Sequence, residues 1–165
     1  NDKSLYIFLE LLLQTGARRF SILTLKKKDI NLTSKEVSIK NHKTNTTYKG
    51  FLQDDLIEPL NEYLKDFKIN DDIFSYNENM DYSQTGHKLL TILDKLFNVG
   101  LASNDRKNKV VIHTLRHTMA SHLAINGTPI FTIQKLLNHS DINQTLRYAK
   151  LSPEYGKNAI QGLYK

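Results

Sequence analysis

A mainly α domain carrying a small three-stranded antiparallel sheet is the fold this sequence predicts, and three observations predict it. Most of the chain falls into apolar or amphipathic stretches at helical period, beginning with Leu5, Ile7, Phe8, Leu9, Leu11, Leu12 and Leu13. Only the window from Ile30 to Leu52 changes to short alternating runs separated by turn residues. With 165 residues, 39% hydrophobic and 24% charged, the chain can bury one real core, and no repeat or linker divides it. The expectation is a single domain over residues 1–165.

Taken in order, a helix from Ser4 to Thr15, capped by Asp2 or Ser4 and stopped by Gly16, is apolar nearly all round and belongs in the core. A short helix follows with Ile22, Leu23 and Leu25 inward, then the run Lys26-Lys27-Lys28. Ile30 and Leu32, then Val37 and Ile39, then Tyr48, Phe51 and Leu52 mark three strands, with turns at 33–35 and 42–47 and Lys43 near the second tip. Leu56, Leu60, Tyr63, Leu64 and Phe67 mark an amphipathic helix that tolerates Pro59 near its first turn. Asp71 to Tyr76 reads as extended and Asn77 to Tyr82 as a polar loop. A helix over about 84–97 presents Leu89, Leu90, Leu93, Leu96 and Phe97, and the connection 98–109 is polar and basic. Another helix starts at His113 and stops at Asn126-Gly127, and Thr128-Pro129 opens the next. That one ends at Asn138 in left-handed conformation. Ser140 or Asp141 caps the helix leading to Tyr148, and Ser152-Pro153-Glu154 opens a last one.

The net charge of +6 favours an anionic partner, nucleic acid before an acidic membrane surface. No apolar run is long enough to span a bilayer, and no secretory signal is visible. The absence of cysteine excludes disulfides and thiolate metal sites and suits a cytoplasmic protein. The chain opens in N-D-K-S-L-Y without an initiator methionine, so a longer parent protein is expected.

The chemistry-bearing types concentrate between Val111 and Leu151. His113, Arg116 and His117 stand at i, i+3 and i+4 and share one helix face. A first-turn position for His113 adds free N–H groups and a dipole that favour phosphate. The competing readings are a packed histidine beside a surface arginine, or a zinc pair. For zinc, Thr114 stands where a metalloprotease helix has its general-base glutamate, and no carboxylate cluster completes a site, so no metal is expected. His139 and Tyr148 follow on short helices whose caps fold the chain back toward the Arg116 helix.

Four motifs carry a resemblance: T-G-A-R-R (Thr15–Arg19), H-T-L-R-H (His113–His117), L-L-N-H (Leu136–His139) and T-L-R-Y (Thr145–Tyr148). In order and spacing they resemble the catalytic domain of the tyrosine recombinases, the family of phage integrases and Xer-type resolvases, whose fold breaks and rejoins DNA. The resemblance implies Arg18 and Arg116 as the catalytic arginines, Tyr148 as nucleophile, His113 and His139 at the imidazole positions, and Lys43 as the catalytic lysine. Lys40 and Lys49 lie near Lys43 and leave that last assignment less sharp. His117 braces the site, and Ser21 stands where the family often has a supporting acidic residue. Asn138 replaces the usual glycine before His139, and Lys150 a frequent histidine after the nucleophile.

The implied activity is site-specific recombination or integration through a 3′-phosphotyrosine, with no metal, ATP or other cofactor. The implied partner is double-stranded DNA, met mainly at its phosphates by Arg19, Lys26, Lys27, Lys28, Lys40, Lys49, Arg106, Lys107, Lys109 and Arg147. The resemblance also implies a preceding core-binding domain absent here, a chain that is monomeric alone, and a homo-tetramer on DNA. In that tetramer Ser152 to Lys165 would dock on a neighbour through Tyr155, Ile160, Leu163 and Tyr164. A prokaryotic, phage or mobile-element origin follows from the same likeness. The alternatives are DNA relaxation of the type IB topoisomerase kind and a module that binds DNA without cutting it.

Overall fold

The computed structural model describes residues 2–74, 84–153 and 160–161. They fall into two compact units, Asn1–Met119 and Ala120–Lys165. The expected class is found: seven α-helices and one three-stranded antiparallel sheet among the described residues.

In the first unit, helix α1 (Lys3–Thr15) begins where the Asp2 carboxylate accepts the Leu5 amide at 3.2 Å, and it ends on Gly16 at φ 59°. The left-handed turn needs a residue without a Cβ, so glycine stops the helix there. Ile7, Phe8, Leu11 and Leu12 are its buried face. Helix α2 (Arg19–Leu23) follows at once and buries Ser21, Ile22 and Leu23. Strands β1 (Ile30–Asn31), β2 (Glu36–Asn41) and β3 (Thr46–Phe51) lie in the order β1-β2-β3. Val37, Ile39 and Asn41 of β2 point inward and Ser38 and Lys40 outward, the period-2 alternation of a half-buried strand. Leu32 and Leu52 lie just beyond the strands, although Leu52 still joins the core.

Helix α3 (Asp54–Leu64) buries Leu56, Leu60 and Leu64. Pro59 stands inside it, in its second turn rather than the first, and the helix continues through it. Helix α4 (Gln84–Phe97) turns Leu89 and Leu93 inward, whereas Leu96 and Phe97 at its end are exposed because the core stops before the last turn. Phe8 meets Phe74 edge-on at 5.2 Å, and the Tyr63 hydroxyl donates to the Ile73 carbonyl at 2.5 Å. Beyond α4, the Asn98 side chain donates to the Val110 carbonyl (2.9 Å) and accepts the Val110 amide (2.8 Å). One buried amide thereby ties the two ends of the 98–110 connection.

Helix α5 (Ile112–Ile125) crosses the boundary between the units. In the second unit, Gly127 at φ 78° follows it, and α6 (Ile130–Leu136) starts with Pro129 itself as the N-cap, one position later than Thr128. Asn138 has φ 49°, the left-handed conformation expected of it. Helix α7 (Asn143–Leu146) is short; the Asp141 carboxylate accepts the Asn143 amide at 2.9 Å ahead of it. The expected loop at 77–82 and most of the expected final helix, with Tyr155, Leu163 and Tyr164, lie outside the described residues. Ile160 is described, and it is exposed.

Candidate active site

In the first unit, Arg18 occupies the extended position at the start of α2, two residues past the left-handed Gly16. Arg116 lies in the second turn of α5 and is 2% exposed, and its guanidinium donates to the Gly16 carbonyl at 2.5 Å. The turn that stops α1 therefore both launches Arg18 and receives Arg116. One permanently charged fork starts from, and the other is bonded to, the same short piece of backbone, an arrangement suited to the oxygens of a phosphate. Thr15 stiffens that turn: its hydroxyl donates to the Leu11 carbonyl at 2.5 Å and accepts the Ala17 amide at 3.2 Å.

His113 and His117, one turn apart on α5, stand edge to face with ring centres 4.8 Å apart. His113 is exposed and His117 half-buried. Lys43 sits in the β2–β3 turn with its side chain exposed, and its amide donates to the buried Asn41 side chain at 3.1 Å. The neighbouring lysines differ in their surroundings. Lys49 pairs with Glu36 across the strands at 2.8 Å, holding the Glu36 carboxyl below its ordinary pKa, and Lys40 points outward from β2. His42 ties the turn to α2 and to Thr24 after it. Its Nε2 lies 2.9 Å from the Thr24 hydroxyl, and its ring meets Phe20 at 4.5 Å. Burial, and secondarily the Lys40 charge, push the His42 pKa down.

In the second unit, the His139 Nδ1 lies 2.8 Å from the Thr145 hydroxyl, and the backbone carbonyl of the same Thr145 accepts the Tyr148 amide at 2.9 Å. Thr145 is fully buried and Tyr148 nearly so, while Arg147 is exposed. Gln134 fixes the backbone of His139 from both sides, donating to its carbonyl and accepting its amide, each at 3.1 Å. One threonine thus couples the imidazole to the tyrosine.

The basic residues expected to meet DNA are placed unevenly. Lys27 donates to the Leu64 and Phe67 carbonyls at 2.9 and 2.7 Å, which closes the C-terminal end of α3. Lys26 pairs with Asp72 at 3.1 Å, and Lys109 donates to the Ser103 carbonyl at 3.3 Å. Lys28, Lys40, Arg106 and Lys107 form no salt bridge among the described residues, and Arg19 is half-buried at the start of α2. Ser21, Thr24, Lys28, Lys40 and His42 line one groove beside the sheet. Sequence reasoning missed Thr145 and His42. Thr145 stood in view, three residues before Tyr148, but its double role needs the turn to be seen. No group of three or more potential metal ligands exists among the described residues, and no described helix is long and apolar enough to cross a membrane.

The chain is 31% identical over 145 residues to the tyrosine recombinase XerA of Saccharolobus solfataricus, covering 88% of this chain and 45% of that protein. It spans about half the length of the curated relatives it matches. In fold it is similar to the catalytic domain of bacteriophage HP1 integrase, with a TM-score of 0.69 at 20% identity over 99% of this chain and 93% of that one. It is also similar to a Tn1549 transposon integrase solved with circular intermediate DNA, with a TM-score of 0.67 at 19% identity over 94% of this chain and 58% of that one. The phage integrase family matches residues 1–154, a span that includes both the turn that launches Arg18 and the Thr145 that holds His139 and Tyr148, and the chain belongs to that family.

Proposed function

We propose that this chain is the single catalytic domain of a site-specific DNA recombinase or integrase, with Tyr148 cleaving and rejoining strands through a 3′-phosphotyrosine. The observation that carries the reading is the buried Arg116, fixed by the Gly16 carbonyl on the turn that presents Arg18. A guanidinium held in place before substrate arrives costs no reorganisation when charge develops on phosphorus.

The tyrosine hydroxyl, with an ordinary pKa near 10, needs a base and a positive field. The Tyr148 oxygen attacks phosphorus and loses its proton to His113, the bond from phosphorus to the 5′ oxygen breaks, and Lys43 supplies the proton that leaves with the 5′-hydroxyl. Arg18, Arg116 and His139 hold the non-bridging oxygens. For His139 to donate from Nε2, the Thr145 hydroxyl must donate to Nδ1, and their 2.8 Å separation suits that bond. His117 braces the face, and Ser21 lies on the buried side of α2. The phosphotyrosine keeps the bond energy, so religation by a strand's 5′-hydroxyl consumes neither ATP nor metal.

The partner is double-stranded DNA, as for the transposon integrase of the same fold. The exposed Lys28, Lys40, Arg106, Lys107 and Arg147 are its nearest phosphate contacts, and assembly on DNA is a homo-tetramer using the segment after Ser152. The setting is the cytoplasm of a prokaryotic host. Covalent trapping tests the reading: nicked suicide DNA is incubated with the protein in EDTA and the SDS-resistant adduct is mapped. An adduct on Tyr148 that Tyr148→Phe abolishes is expected. Strand cleavage by Tyr148→Phe, or activity that EDTA removes, would overturn it.

A further inference from the structure

The proton assigned to Lys43 must reach the leaving 5′ oxygen from an exposed turn, residues 42–45 between β2 and β3. The strand ladder ends at the Asn41–Thr46 pair, so pairing alone does not set where that turn points. Two side chains next to Lys43 do. The buried Asn41 carboxamide accepts the Lys43 amide at 3.1 Å and fixes the backbone locally. His42 reaches off the sheet: its Nε2 lies 2.9 Å from the Thr24 hydroxyl, and its ring stands edge-on to Phe20, centres 4.5 Å apart at 70°. Both targets belong to α2, where Phe20 lies in the first turn, Thr24 is the C-cap and Arg18 the N-cap. The Thr24 hydroxyl already donates its one proton to the Phe20 carbonyl at 3.0 Å, so His42 Nε2 is the donor in the other bond.

The N–H bond sets a distance and the edge contact sets the rotation of the ring, so together they dock the hairpin on the helix that Arg18 begins. We propose that His42 is a positioning residue for Lys43: it fastens the β2–β3 turn to α2 and so sets the distance from the lysine ammonium to the phosphate that Arg18 holds. The inference rests on the reading of Lys43 as general acid and of Arg18 as a phosphate ligand. Lysine carries its charge on a flexible stem that gives reach without direction, so its placement has to come from the backbone beneath it. A displacement of about 1 Å in such a group can cost about 10²-fold in rate. Loss of the His42 tether leaves the arginines, the imidazoles and the nucleophile where they are. Only the step in which the 5′ oxygen takes up its proton is slowed.

The test replaces the leaving 5′ oxygen by sulfur. A thiol has an ordinary pKa near about 8.5, far below that of an alcohol, so a 5′-bridging phosphorothiolate leaves without a proton. Nicked suicide duplexes of both kinds, carrying the protein's own recombination site, are given to the naturally expressed protein as wild type, His42→Ala, His42→Gln, Thr24→Val and Lys43→Ala. Adduct formation is followed in single turnover at saturating DNA. His42→Ala and Thr24→Val are expected to fall about tenfold or more on the oxygen duplex and to stay within about twofold of wild type on the sulfur duplex, with Lys43→Ala showing the same pattern more steeply. His42→Gln, which keeps an N–H at the Nε2 position, should stay near wild type on both. The ratio of sulfur to oxygen rates is internal to each protein, so partial unfolding of a variant cancels from it. An equal fall on both duplexes, no fall on the oxygen duplex, or His42→Gln as slow as His42→Ala would overturn the proposal while leaving Lys43 as general acid. A Lys43→Ala defect that sulfur does not restore would overturn the reading of Lys43 and this inference with it.

Discussion

Thr145 holds two groups of the second unit at once, the His139 ring through its hydroxyl and the Tyr148 amide through its carbonyl. Thr145→Val keeps the shape and the backbone bond but removes the hydroxyl that orients the imidazole. Adduct formation should fall about tenfold, the lower end of what an orienting partner is worth, while Thr145→Ser stays near wild type. Single-turnover cleavage with Tm as a folding control measures it. At this scale the sequence was legible where residue type and chemistry coincide. Arg18, Arg116, His139 and Tyr148 are types that phosphoryl chemistry requires, set in short motifs. Tyr48 was not legible, because one of eight tyrosines, on an alternating strand, looks like a packing residue until its hydroxyl oxygen is found buried.

Among the elements, the helices and hairpin followed from period and punctuation, since Gly16 and Asn138 stop helices by the same left-handed turn. What period does not encode is how closely two elements approach. Gly50 reads as a weak spot in a strand, yet it is the contact that lets β3 lie against Thr15. Gly50→Ala should cost about 1–3 kcal/mol through overpacking against Ile39 and Thr15, seen as a lowered Tm. The exposed Leu96 and Phe97 make the same point in reverse, because helical period continues past the place where the core ends. Pro59 likewise shows that a helix held by Leu56, Leu60 and Leu64 absorbs a lost hydrogen bond in its second turn.

For the whole molecule, a net charge of +6 and exposed cations at Lys28, Lys40, Arg106 and Lys107 predict that the proposed association with DNA is a counterion-release process. Affinity should fall by about 10³ between about 50 and 200 mM salt, as fluorescence anisotropy on a short duplex would record. A salt-independent affinity would contradict phosphate-dominated contact. The Asn98 clamp, described above as two hydrogen bonds to Val110, has a different meaning for how such a protein diversifies. With its neck tied, the stretch from Val99 to Lys109 behaves as a cassette. Its tip, which carries Arg106 and Lys107, can be lengthened or rewritten at little entropic cost, because each doubling of loop length adds only about 0.6 kcal/mol. If Arg106 and Lys107 meet DNA as proposed, those contacts can change there without disturbing the turn that holds Arg116.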